Sequence, residues 1–199
     1  MSDLFDRLLR LYAQGHAHDI PDLLSDAHLA DDRATPAAVL IAVTDRAEPT
    51  VLLTQRPRAM RDHPGQVAFP GGKIDPGETP IEAALREAEE ELALPRDKVR
   101  VIGESDLYHT GTGFLVTPVL GVIAPDLPLT PNPTEVEAWF EAPLDHLLRP
   151  ANWTKNEVHW RGAWRHYFEM DYLGFRIWGV TAAIILNLAR RIDANALRD

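Results

Sequence analysis

The 199-residue chain contains no cysteine. That absence excludes a disulfide scaffold, a thiolate zinc site, a thiol nucleophile and an iron–sulfur cluster. It fits a reducing compartment, and a cytoplasmic location is expected. No apolar run reaches membrane-spanning length. The longest, Ile177 to Leu186, is interrupted by Gly179 and Thr181 and reads as a buried helix, so no membrane partner is expected. Met1 to Asp6 carries acid where a secretory leader needs a basic region and an apolar stretch, and no leader is expected. Positive charge is scarce: 20 Lys and Arg stand against 30 Asp and Glu, a net charge of -10. Such a surface repels nucleic acid. An anionic substrate would have to bind through a local cation cluster or bound metal ions. There is no internal repeat and no low-complexity tract. With 45% hydrophobic and 25% charged residues, the chain is neither disordered nor fibrous. Its length suits one domain with a terminal extension.

Leu4, Leu8 and Leu11 have helical spacing over residues 3–13, and residues 14–36 read as irregular. The expected organisation is a helical and irregular extension over 1–35 and one domain over 36–199. Apolar runs at 38–43 and 51–53 predict two strands joined by a turn. Residues 57–79, rich in Pro and Gly, predict a long ordered loop with a strand at 67–69. Thr79-Pro80 opens a helix that runs to about Leu94. Strands follow at 99–103, 115–123, 139–140 and 164–170. A short helix is expected at 143–148, and a second long helix over 177–191. Strands and helices do not alternate regularly. That predicts a mixed α/β (α+β) fold with a mixed sheet between helices. The spacing of His159, His166, Trp153, Trp160 and Trp164 points to the core or a dimer contact, with stacking on an adenine as the open alternative.

The informative segment runs from Gly71 to Leu92. On a helix over 79–94, Ile81, Ala84, Leu85, Ala88 and Leu92 form one apolar face. Glu87, Glu90 and Glu91 fall within about a 100° arc beside it. Three carboxylates on one patch repel one another, and a neighbouring buried face raises the cost. A divalent cation is the simplest remedy, and hard oxygen ligands suit Mg²⁺ or Mn²⁺. The glycines ahead let the backbone approach a phosphate or offer a carbonyl to metal, and Arg86 can tie back to Glu78. The competing reading is an acidic helix face bathed in water.

The same segment resembles the Nudix box, G-x5-E-x7-R-E-U-x-E-E-x-G-U, where U is bulky and apolar. Gly72, Glu78, Arg86, Glu87, Glu90, Glu91 and Leu94 fall in place. Six fixed Gly, Arg or Glu positions would coincide by chance roughly once in ten million windows. Ala88 is small for U, and Ala93 replaces the glycine that ends the helix, so Pro95 is expected to end it instead. Leu52 to Gly72 also resembles the coenzyme A diphosphatase signature, L-L-T-x-R-[SA]-x3-R-x3-G-x3-F-P-G-G, with Pro57 as the one departure. The stretches 132–136, 141–144 and 177–182 are similar to the same subfamily.

The resemblance implies an α/β/α sandwich and metal-dependent hydrolysis of a phosphoric anhydride. Coenzyme A or acyl-coenzyme A would be cut to 4′-phosphopantetheine and adenosine 3′,5′-bisphosphate. It assigns metal binding to Glu87, Glu90, Glu91 and a carbonyl of Gly71 or Gly72. Catalytic or positioning roles fall to Arg86, Glu78, Glu87 and Glu135, with Glu137 as runner-up. Substrate contacts fall to Arg56, Arg61, Gly65, Phe69, Gly71, Gly72 and Lys73. Arg56, Arg58, Arg61 and Lys73, with His63 nearby, form a basic island in an acidic chain, as a pyrophosphate with a 3′-phosphate requires. His63 and His109 are candidate acid–base groups. A homodimer is a family-level expectation. Two alternatives stand: a Nudix pyrophosphatase acting on ADP-ribose, a dinucleotide or a nucleoside triphosphate, and a non-catalytic nucleotide-sensing module.

Overall fold

The computed structural model describes residues 4–29, 34–60, 63–160 and 163–197. Its centre is strand β1 (Thr35–Thr44), whose side chains alternate between two apolar layers. Ala37, Ile41 and Val43 face one layer; Ala38, Leu40 and Ala42 face the other. Period-two alternation with apolar residues on both faces requires cover on both sides. β1 runs parallel to β7 (Phe114–Ile123) and antiparallel to β2 (Thr50–Gln55) and β4 (Gly71–Lys73). Beyond β2 lie β3 (Val67–Ala68) and β8 (Ala138–Pro143); beyond β7 lie β5 (Val99–Glu104) and β6 (Tyr108–His109). The result is a mixed eight-stranded sheet.

Helix α2 (Pro80–Leu92) covers one face with Ala83, Ala84, Ala88 and Leu92. Ala88 is fully buried, so its small side chain sets how near the helix lies to the sheet. The other face is covered by α1 (Leu4–Gly15) and α4 (Val180–Arg191). A short helix, α3 (Leu144–Leu147), follows β8. A second sheet joins β9 (Thr154–Trp160), β10 (Ala163–Tyr172) and β11 (Phe175–Trp178) in antiparallel order. Among the described residues, no helix is long and apolar enough to cross a membrane.

Three expectations need correction. Gly71–Lys73 is a strand, not loop, because its backbone pairs with Ala37, Ala38 and Val39. The last helix begins at Val180 rather than 177: Ile177 and Trp178 end β11, and Gly179 turns the chain at φ 62. Strand β9, TKNEVHW, has too little apolar alternation to be read from sequence. Of the tryptophans assigned to core or dimer contact, Trp153 is 7% exposed and Trp164 is 70% exposed.

The N-terminal residues are tied to this frame over long range. Leu4 and Leu8 enter the core. Arg191 pairs with Asp106 at 2.6 Å and donates to the Gly15 carbonyl at 2.8 Å. Buried Asn187 grips Leu24 both ways: Leu24 N–H donates to Oδ1 at 2.8 Å, and Nδ2 donates to the Leu24 carbonyl at 2.9 Å.

Candidate active site

The loop and helix that carry the acids are held by short-range contacts. Thr79 caps α2, its hydroxyl accepting from Glu82 N–H at 3.2 Å while Glu82 accepts from Thr79 N–H at 2.8 Å. This reciprocal cap, with Pro80 at the first position, fixes where the helix starts. Arg86 then reaches back. Its Nε and Nη2 each donate to the Glu78 carboxylate at 2.9 Å, and Nη2 donates to the Lys73 carbonyl at 2.9 Å. Nη1 donates to Glu87 at 2.8 Å and to Glu90 at 3.4 Å. One planar fork therefore joins β4, the turn and the helix. That pairing, with the Asp75 N–H, holds the Glu78 carboxyl down at about 2.

The helix ends at Ala93 in the left-handed conformation, φ 53 and ψ 32. Ala therefore takes the conformation expected of glycine, and Pro95 follows outside the helix. The exposed end carbonyls are bonded from a distant loop: Thr130 N–H donates to Leu92 and Asn132 N–H to Glu91, both at 2.8 Å. Asn132 Nδ2 also donates to Glu135 at 3.3 Å. This cap brings Glu135 to the helix.

Glu87, Glu91 and Glu135 converge, each offering a carboxylate oxygen within 4.8 Å of the others. The grouping differs from the helix-only trio. Glu90, fourth residue beyond Arg86, is turned to that guanidinium with its side chain 54% exposed. Glu91 is 5% exposed; the Gly71 N–H donates to it, and its Oε2 is buried with no partner. Burial, with the Glu87 charge second, pushes the Glu91 carboxyl up to about 8. Burial also raises Glu87. Gly72 leaves room for Glu87: a Cβ there would stand 2.3 Å from Glu87 Oε1. An orphaned buried oxygen beside two further carboxylates fits a divalent cation held by hard oxygen ligands.

The other predicted residues spread more widely. Arg56 is half-buried with its Nε unpartnered, and its charge favours the ionised form of Glu91. Lys73 is exposed, Gly65 has φ 69, and Phe69 is 3% exposed within the core. Phe69 thus packs in the core beneath the loop. Arg61 lies outside the described residues. Glu137 is exposed and accepts from Arg58 N–H at 2.9 Å, outside the acid cluster. His109 is half-buried with Nδ1 unpartnered, and His63 is exposed. The Gly71 N–H and the Asn132 cap were missed by sequence reasoning. The Asn132–Val136 stretch was their one visible signal.

A family model of the NUDIX domain matches residues 34–167, well over half of the chain. The chain belongs to the Nudix family. It is similar to "Uncharacterized Nudix hydrolase NudL" of Cronobacter sakazakii, 46% identical over 157 residues, covering 78% of this chain and 82% of that protein. The NudL protein of Klebsiella pneumoniae strain 342 is 42% identical over 187 residues, covering 90% and 97%. Among solved structures, the Nudix hydrolase RenU of M. smegmatis is 27% identical with a TM-score of 0.49, covering 57% of this chain and 73% of that one. The protein is a Nudix hydrolase, an enzyme acting on phosphoric anhydrides.

Proposed function

We propose that this Nudix hydrolase cuts the pyrophosphate bond of coenzyme A or acyl-coenzyme A with the help of Mg²⁺ or Mn²⁺. The products are 4′-phosphopantetheine, or its acyl form, and adenosine 3′,5′-bisphosphate. The observation that carries the chemistry is the buried, unpartnered Glu91 oxygen beside Glu87 and Glu135. The Leu52–Gly72 signature carries the substrate, supported by Arg56 standing near enough to Glu91 to act on its charge.

Glu87, Glu91 and Glu135, with a Gly72 carbonyl, are the ligands we assign. A divalent ion held there would supply charge to neutralise phosphate oxygens and to acidify a water. Arg86 and Glu78 position the loop, and through Arg86 they orient Glu87. Glu90 steadies Arg86 and lies next to the acid cluster. Arg56, Arg61 and Lys73 receive the substrate's phosphates. Water oxygen bonds to one phosphorus, and the bridging oxygen departs with the other. Glu87 or Glu135 accepts the proton of that water.

A second reading has one observation behind it. Pro57 stiffens the loop and removes an N–H donor where the coenzyme A signature has Ser or Ala, which favours ADP-ribose, a dinucleotide or a nucleoside triphosphate. Product assays on coenzyme A, acetyl-coenzyme A, ADP-ribose, NADH and 8-oxo-dGTP, each with Mg²⁺ and Mn²⁺, separate the two. Coenzyme A species are expected to be cut fastest. A tenfold or greater advantage for ADP-ribose or NADH overturns the substrate assignment. Binding of nucleotide without turnover of any of them overturns the catalytic one.

A further inference from the structure

A cavity of about 680 Å³ lies away from the acid cluster, between the second sheet, residues 24–28 and the β6–β7 turn. That volume suits a nucleotide-sized ligand. Its lining is unusual for so acidic a chain. The register of β9 with β10 places Lys155 opposite Phe168, on the sheet face that also carries Trp164 and His166. Trp164 keeps its indole 70% exposed. Lys155 is exposed and makes no ion pair among the described residues. Asp26, on the facing wall, accepts from the Gly111 N–H at 3.2 Å and from the Tyr108 hydroxyl, and it makes no ion pair with Lys155.

One loop runs between the acid site and the cavity. It starts after β2 at Arg56, whose charge favours the ionised form of Glu91, and includes His63, which lines the cavity. Arg56 N–H donates to the Gln66 carbonyl at 3.0 Å, closing that loop. Thr181 hydroxyl donates to the Val67 carbonyl at 2.9 Å, pinning its far end to α4. A coenzyme A-type substrate has two unlike ends. The pantetheine arm is neutral and flexible. The other end is an aromatic base with a phosphate on its ribose. An open indole and an ammonium with no ion pair among the described residues, both lining one cavity, match the second.

We propose that this cavity seats the adenine and 3′-phosphate of the substrate, Trp164 stacking on the base and Lys155 meeting the phosphate. The assignment rests on the coenzyme A reading above and gives residues 24–28 a role as one wall of the seat.

The test is calorimetry on full-length, metal-free protein titrated with adenosine 3′,5′-bisphosphate and with adenosine 5′-monophosphate. The bisphosphate is expected to bind at least tenfold more tightly. Lys155→Ala abolishes that preference, Trp164→Ala weakens both ligands at least tenfold, and Lys98→Ala, remote from the cavity lining, changes neither. With coenzyme A and metal, both cavity variants raise KM at least fivefold and leave kcat within twofold. Both side chains are exposed, so the fold survives their loss. Wild-type affinity in both variants overturns the seat while leaving coenzyme A hydrolysis intact. Conversion of a dimer to monomers by Trp164→Ala, with nucleotide affinity unchanged, assigns the indole to self-association and also overturns it. If wild-type protein does not cut coenzyme A yet the Trp164-sensitive binding persists, the substrate reading fails and the seat stands.

Discussion

Glu87 and Glu91 sit one turn apart on a single helix, and the Arg86 fork that steadies Glu87 reaches back only to Lys73 and Glu78. The cavity at Trp164 is assembled differently. Its walls come from residues 24–28, the β6–β7 turn, the second sheet and the start of α4. Closing short loops costs little chain entropy, and a helix sets its own side-chain spacing. Walls drawn from opposite ends of the chain depend on every long-range contact between them. The helix-borne part of the acid site, Glu87 and Glu91, should therefore tolerate damage elsewhere in the fold, while the cavity should respond to changes far from its ligand.

The largest expected effect tests the acid side. Glu91→Gln should lower kcat/KM by about 10³-fold or more, since it removes a charge at the ion's position. Glu90→Gln should cost only about 10- to 100-fold, because Glu90 faces Arg86 rather than the cluster. Steady-state kinetics with coenzyme A and circular dichroism on both variants decide it. Equal losses would mean that Glu90 joins the ion as closely as Glu91 does.

Gly72→Ala comes next. The added Cβ meets only the end of the Glu87 side chain, which can move aside. The fold should hold, with activity down about 10- to 100-fold and weaker Mn²⁺ binding by calorimetry. Unchanged metal affinity would detach Gly72 and Glu87 from the site.

On the other side, Asn187→Ala breaks both bonds to Leu24 and should destabilise the protein by about 1–3 kcal/mol. Its signature is kinetic: KM for coenzyme A should rise several-fold with kcat nearly unchanged. A fall in kcat alone would show that the two regions are not separable as described.

The smallest effect concerns acid stability. The Glu78 carboxyl sits at about 2 in the folded protein against an ordinary value of 4.5, chiefly because Arg86 donates to it. A depressed acid stabilises the fold above its unfolded value and loses that contribution as pH falls through the folded one. Glu78→Gln should therefore melt below wild type at pH 7, and the gap should close between pH 4.5 and 2. A gap that persists at pH 2 would trace the loss to packing rather than to charge.

The loop–helix was legible because its signal is local. Thr79-Pro80 marked the helix start, and i, i+3 and i+4 spacing placed the acids. Reading the helix alone, however, favoured Glu90 over Glu135. Glu135 arrives only because Thr130 and Asn132 cap the helix's last carbonyls from a loop some 40 residues onward. Ala93 shows the same limit: its left-handed turn is unfavourable in isolation and is held by the bonds around it. Strand β9 was invisible because its polar residues pair through backbone bonds, which do not depend on side-chain pattern. The helix was placed too early at 177 because the apolar run continues from β11 into α4, and only the Gly179 turn separates them.

By itself, the order of residues determined the family, the anhydride-cutting class of chemistry and the helix that carries Glu87 and Glu91, because each is written in contacts a few residues long. Tertiary structure decided which third carboxylate joins them, that Glu91 is buried without a partner, and that a tryptophan and a lysine open into a shared cavity. Those depend on segments 40 to 160 residues apart meeting in space, and no local spacing encodes such a meeting.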